Sequence, residues 1–146
     1  MAAGLTIASQ SLERFKALFV EKVLTKASAT IFENVALSDA DLDASILSVA
    51  LVDEIQNLGP WGQGFPEPSF YGEFEVLNAR ILKERHIRFI LAKQGQTFDA
   101  IVFGVKQASA WLRAREIQAV YQIEANEFRG QRSLQLRIEY MQAIIT

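Results

Sequence analysis

Through residues 1–58 the apolar positions recur at helical spacing, and from residue 70 onward they alternate, so the hydrophobic period falls from about 3.6 to 2. The run SLERFKALFVEKVLTKA puts Leu12, Phe15, Phe19 and Val23 on one helical stripe, with Ser11 standing where an N-cap belongs. ATIFENVAL is short and apolar and reads as a strand or an extended connector. SDAD then has the Ser-x-x-acid form of a capping box, with Ser38 as the cap and Asp41 reaching back. The helix expected after it carries Leu42, Ile46, Leu47, Ala50, Leu51 and Ile55. Gly59 and Pro60 should end it, glycine by taking the left-handed C-terminal position and proline because it cannot continue a helix.

In EFEVLNARIL, Phe74 and Val76 share one face, whereas Leu77, Ala79 and Ile81 have the opposite parity. A one-residue slip exchanges the faces of a strand, so this strand needs a bulge or a sharp bend. RHIRFILAK alternates, with Ile87, Phe89 and Leu91 on one side and His86 and Arg88 on the other. QGQ turns the chain, and TFDAIVFG is apolar on both faces. VKQASAWLRA returns to helical spacing through Val105, Ala108 and Leu112. EIQAVYQIEA and SLQLRIEY alternate again, joined at RG, with Ile117, Ala119, Tyr121, Ile123, Leu134, Leu136, Ile138 and Tyr140 expected inward. Residues 70–146 thus read as three strands, a helix and two strands, the first strand long and bent. A five-stranded Greek-key barrel with its helix between the third and fourth strands is the OB-fold. The expected class is α+β, in three parts: a mostly helical 1–58, a linker at 59–69 and an OB barrel at 70–146.

The linker segment LGPWGQGFPEPSFYG holds all three prolines and four of the eight glycines, yet also Trp61, Phe65, Phe70 and Tyr71. Flexible linkers are poor in aromatics, so this one reads as a stiff joint or an ordered crossover with aromatics in the core. Half the residues are apolar, enough for a core, and no run approaches the roughly 18 residues of a membrane span. With no cysteine and one histidine, thiolate metal sites, disulfides and multi-histidine zinc sites are excluded. The net charge of −2 divides into −5 over residues 1–69 and +3 over residues 70–146, which reads as ordinary surface charge or as a basic C-terminal part suited to an anionic ligand.

Ligands of OB barrels lie across the second and third strands, flanked by the loops joining strands one to two and four to five. Here the first loop offers Lys83 and Arg85, and the second Phe128, Arg129 and Arg132, while His86 and Arg88 project from strand two. Cations along a groove with a ring for stacking are what a single-stranded polynucleotide requires. Phe128 also suits closure of the barrel end, and Trp111, off its helix's apolar stripe, suits packing more than base stacking. No constellation for catalysis accompanies His86. DADLD lacks the Gly and distal Glu of a calcium loop and is read as helix-opening chemistry. No metal ligand set and no catalytic residue is expected.

LGPWGQGFPEPSF resembles the PFGxGNPEPxF signature of the RecJ family, single-strand-specific DNA exonucleases of the DHH phosphoesterase superfamily. RHIRFILAKQGQTFDAIVFG is similar to the family's HLKLRL…DAIAFG strand pair, and MAAGLTI to the end of its GGHAMAAGLTI motif. Trp61 stands where the family has Phe, and Phe65 where it has Asn. The resemblance implies that residues 1–58 are the C-terminal portion of the DHH-associated domain and that the catalytic DHH domain, with its manganese or magnesium, lies outside this chain. It further implies a 5′–3′ exonuclease of recombination and repair in the bacterial cytoplasm, with single-stranded DNA, single-stranded-DNA-binding protein and a helicase as partners. The alternative is a protein-docking OB module. An incomplete domain would also leave the helices of residues 1–58 short of a partner, so dimerisation through them is expected.

Overall fold

The computed structural model describes residues 4–27, 35–83 and 85–144. Two compact units are present, Met1–Val35 and Ala36–Thr146. In the first, a 3-10 turn at Ser9–Ser11 leads into helix α1, Leu12–Lys26. The Ser11 backbone is already helical because of that turn, and its side chain makes no capping hydrogen bond, contrary to the sequence reading. Phe15 and Phe19 stack at 5.7 Å, but no α1 residue is buried, and Leu12, Phe19 and Val23 are exposed. Residues 29–34 of ATIFENVAL lie outside the described residues.

The second unit runs β1 (Ala40–Asp41), a 3-10 turn (Ala44–Ile46), α2 (Val49–Leu58), β2 (Phe70–Leu82), β3 (His86–Lys93), β4 (Gln96–Val102), a 3-10 turn (Ala108–Arg113), β5 (Glu116–Phe128) and β6 (Gln131–Ala143). The strands follow the order β1-β2-β3-β4-β6-β5, and β5 returns to pair with β2, so β2 to β6 close into a barrel. The β4–β6 pairing is parallel and the other barrel pairings are antiparallel. This is the OB arrangement expected from the alternating runs, with the helical connector between the third and fourth barrel strands.

Closure depends on β2. Residues 70–75 pair with β5 and residues 75–82 with β3. The register against β3 shifts between Val76 and Asn78, leaving Leu77 as the extra residue. That is the bulge the parity change in EFEVLNARIL requires: Phe74 is buried, Leu77 is exposed, and Ala79 and Ile81 pack on the core. Ile87, Phe89, Leu91, Ile117, Tyr121 and Leu136 have essentially no exposed surface, as the alternation predicts, and Ala100 of β4 joins them. Gln94–Gly95 and Arg129–Gly130 make the two hairpin turns with positive φ at both positions.

Four local readings are corrected. Ser38 caps no helix, because Ala40 and Asp41 pair in parallel with Phe70 and Tyr71. The cap of α2 is Ser48, whose Oγ accepts from the Leu51 N–H at 3.2 Å. The three acids of DADLD do separate work. Asp39 accepts from the Ser69 N–H at 2.9 Å, Asp41 pairs with Lys93 at 2.5 Å, and Asp43 caps the 3-10 turn through Ser45. The Ser45 hydroxyl and N–H hold the Asp43 carboxyl below its ordinary range. Gly59 ends α2 at φ −59, outside the left-handed region. Tyr140 is exposed rather than inward, since a second bulge between Val120 and Tyr121 skips Glu139 and turns Met141 toward the core instead.

Helix α2 contributes Val52 and Ile55 to the barrel's own core. The segment 59–69 is pinned as well. Gly62 and Phe65 exchange backbone hydrogen bonds at 2.8 and 3.0 Å, the Trp61 and Phe65 rings stack at 4.7 Å, and Gln122 donates to the Glu67 carbonyl at 3.2 Å.

Two substitutions test this packing by urea denaturation. A Cβ on buried Gly72 would lie 2.8 and 2.9 Å from Phe74 ring atoms. Gly72→Ala is therefore expected to cost about 1–3 kcal/mol by overpacking; unchanged stability would mean that Phe74 can swing aside freely. The Tyr121 hydroxyl is buried with no protein partner, so Tyr121→Phe is expected to be neutral or stabilising by up to about 1 kcal/mol.

Candidate nucleic-acid interface

Inward placement of Ile87, Phe89 and Leu91 forces His86, Arg88 and Ile90 outward on β3, and the same parity puts Asp99 and Ile101 outward on β4 and Gln135 and Arg137 outward on β6. Strand register then builds one row across the barrel surface: Arg80 opposite Arg88, Arg88 opposite Ile101, Ile101 opposite Arg137. Three arginines thus share one line on the face where OB barrels take ligands. The next row holds no cation, with Asn78, Ile90, Asp99 and Gln135 in register.

Two of the three arginines are engaged with neighbours. Arg88 donates from Nε and Nη2 to Asp99 Oδ1 at 3.0 and 2.8 Å. Arg137 donates to Gln122 and lies 3.7 Å from both Glu124 and Glu139. Arg132, at the start of β6, makes a two-pronged contact with Asp53 of α2 at 2.7 and 3.3 Å. Its hydrogen bond holds the Asp53 carboxyl below the ordinary range, and Asp53 in turn raises the Arg132 guanidinium. Because Asp53 is depressed, the clasp is present above the ordinary carboxylate range and lost only as pH falls through the lowered value.

A groove of about 570 Å³ lies between the β3–β4 face and the β5–β6 hairpin, lined by Arg88, Asp99, Asn126, Phe128, Arg132 and Ser133 among others. It brings together three of the residues picked from sequence, Arg88, Phe128 and Arg132. Phe128 is 66% exposed, with the Arg129 guanidinium 5.1 Å from its ring centre. The other three stand at the β2–β3 corner. Lys83 turns the chain with φ 48, and its carbonyl accepts from the Arg85 N–H at 2.7 Å. His86 Nδ1 accepts from the Gly104 N–H at 3.1 Å, and its ring meets Phe103 edge-on at 5.1 Å. Nε2 is then the ring's donor.

Arg80 and Arg137 lie on strands outside the ligand loops and the second barrel strand, so the sequence reading did not include them. Their signal was present: each sits between inward residues, Ala79 and Ile81 for one, Leu136 and Ile138 for the other. Among the described residues no group of three or more His, Asp or Glu side chains is placed to hold a metal ion, and no helix is long and apolar enough to cross a membrane.

The model of the RecJ OB domain family matches residues 38–140. Similar curated proteins are the single-stranded-DNA-specific exonuclease RecJ of Dickeya dadantii, 36% identical over 145 residues, and that of Haemophilus influenzae, 35% identical over 149 residues. These alignments cover 97% and 99% of this chain but 25% and 26% of the relatives, so the chain spans about a quarter of their length. Among solved structures, RecJ of Thermus thermophilus in complex with Mn2+ superposes with a TM-score of 0.74 at 20% identity, over 98% of this chain and 21% of that one. The Mg2+ complex gives 0.70 at 20% identity, over 97% and 21%. Barrel topology, connector position and the match over residues 38–140 agree: the chain belongs to the RecJ OB domain family.

Proposed function

We propose that this chain is the strand-gripping part of a RecJ-type 5′–3′ exonuclease acting on single-stranded DNA in recombination and repair in the bacterial cytoplasm, with metal-dependent hydrolysis performed by a DHH domain outside it. The observation that carries this reading is the row Arg80, Arg88, Arg137, flanked by the groove of exposed Phe128. Phosphates would take the guanidinium forks, and bases would stack on Phe128. Magnitudes favour exchange of partners. An exposed pair such as Arg88–Asp99 is worth at most about 1 kcal/mol, whereas base–aromatic stacking supplies about 1–3 kcal/mol per base. A strand can therefore displace the carboxylates, but weakly and without reading sequence. Lys83, Arg85 and His86 would extend the contact around the β2–β3 corner, and Arg129 and Arg132 along the hairpin.

In this reading residues 1–58 close the DHH-associated domain, and the pinned segment 59–69 is a joint that sets the barrel against the catalytic domains. Single-stranded-DNA-binding protein and a helicase are the protein partners that the family reading brings. A second reading, a docking module, is favoured by the exposed apolar side chains of α1. It includes self-association through residues 1–58, which light scattering detects as a dimer; a strict monomer counts against it.

Binding of a labelled oligothymidylate by fluorescence anisotropy tests the main reading. Affinity should fall steeply with salt, by about 0.7 decades per decade for each phosphate neutralised. No binding at low salt would exclude it. Arg80→Gln with Arg137→Gln should weaken binding about tenfold, with oligonucleotides of different sequence affected alike. Asp53→Asn should strengthen binding about twofold to threefold by releasing Arg132 to phosphate; a loss instead would make the clasp purely structural.

A further inference from the structure

We propose that a second groove, beside the 3-10 turn at Ala108–Arg113, is an additional phosphate-binding site for the same single-stranded polynucleotide. This rests on the reading of the barrel as a single-strand binder. The groove encloses about 660 Å³, and its rim carries Lys106, Arg113 and Arg115. All three are exposed, and none forms an ion pair among the described residues. This separates them from Arg88, Arg132 and Arg137, each of which faces a carboxylate. A phosphate arriving here would displace only water, so each contact costs less than at those three paired arginines.

The cations are fixed by backbone chemistry. Positive φ at Gly104 and Gln107 turns the chain off β4, and buried Ala108 seats the turn on the core. The Ala110 N–H donates to the Gln107 carbonyl at 3.0 Å and the Ala114 N–H to the Trp111 carbonyl at 3.2 Å. The Arg115 carbonyl then accepts from the Val76 N–H at 2.7 Å, which ties that residue to the bulged strand. Trp111, half-buried against the core, lines the groove and leaves part of its indole for one sugar or base.

One carboxylate, Glu116, shares the rim. Beyond it lies a groove of about 620 Å³ that also uses Glu116 and carries Asp41, Glu73 and Glu75. That acidic neighbour repels a polyanion and so ends the track on that side. Charge complementarity therefore selects an anionic chain held over a short length, through its backbone.

The test uses the whole chain and a labelled oligothymidylate. With Lys106→Gln, Arg113→Gln and Arg115→Gln combined, affinity at low salt should fall at least about tenfold, and the slope of log affinity against log salt should flatten by about 2, as three lost phosphate contacts require. Glu116→Gln, which preserves side-chain size, should raise affinity about twofold. Wild-type affinity and slope in both variants would overturn the proposal while leaving the arginine row intact. A wild-type chain that binds no oligothymidylate overturns both readings. Oligoglutamate binding that the triple variant loses, with oligothymidylate binding unchanged, would overturn it in favour of an acidic protein partner.

Discussion

The barrel exists because one strand serves two neighbours. Residues 70–75 of β2 are hydrogen-bonded to β5 and residues 75–82 to β3, and the extra residue Leu77 supplies the bend between them. Without the slip at Leu77, the parity that buries Phe74 would expose Ala79 and Ile81 and send Arg80 into the core. The bulge thus sets both the curvature of the sheet and the outward direction of Arg80. Gly72 answers a related constraint, because Phe74 folds back over it too closely for any Cβ.

Electrostatics on the outer face follow from the same register. Cross-strand neighbours in an OB barrel are fixed by hydrogen bonding, so Arg88 meets Asp99 of β4 and Arg137 meets Glu124 of β5, while Glu139 reaches Arg137 from two residues along the same strand. Pairing of this kind keeps a cationic row from repelling itself in the absence of ligand. It also lowers the net gain when a phosphate arrives, since a carboxylate must be given up. Helix α2 enters the same balance through Asp53, which holds Arg132 at the groove while competing for its charge.

Period-2 alternation made most of the barrel legible. Ile87, Phe89, Leu91, Ile117, Tyr121 and Leu136 could be placed inward from spacing alone, because a closed sheet leaves alternate residues no other environment. Even the bulge at Leu77 showed as a change of phase. The bulge on β6 did not, because Tyr140 and Met141 are both large and apolar and either parity looks acceptable in sequence. Ser38 was read as the cap because SDAD has the capping-box form, which the run from Ser48 to Leu51 lacks. What overrode it was tertiary: Asp41 is drawn to Lys93 of β3, and Ala40 pairs with Phe70, so the chain is extended where a capping box would require a turn. Arg132 was found as a loop cation, but its partner lies 79 residues away and no local pattern announces it. The opening helix remained readable as amphipathic because its stripe is a local property, independent of what it packs against.

The bulged strand also reaches the connector. At Val76, where β2 begins to change register, the backbone N–H turns to the Arg115 carbonyl, and at the next pair Glu75 stands opposite Glu116. Like charges opposed across a ladder are unfavourable, and here they sit between Lys93 on one side and Arg115 on the other. The cations around Ala108–Arg113 thus share a rim with Glu116, yet none of them forms an ion pair among the described residues. Arg88 and Arg137 of the row are paired with carboxylates and the rim cations are not, so under the proposed reading they would meet the same anion on different terms. The rim requires less rearrangement, and on a barrel whose residues from 70 onward carry an excess of only three positive charges, that is the term on which the two proposed contacts would differ.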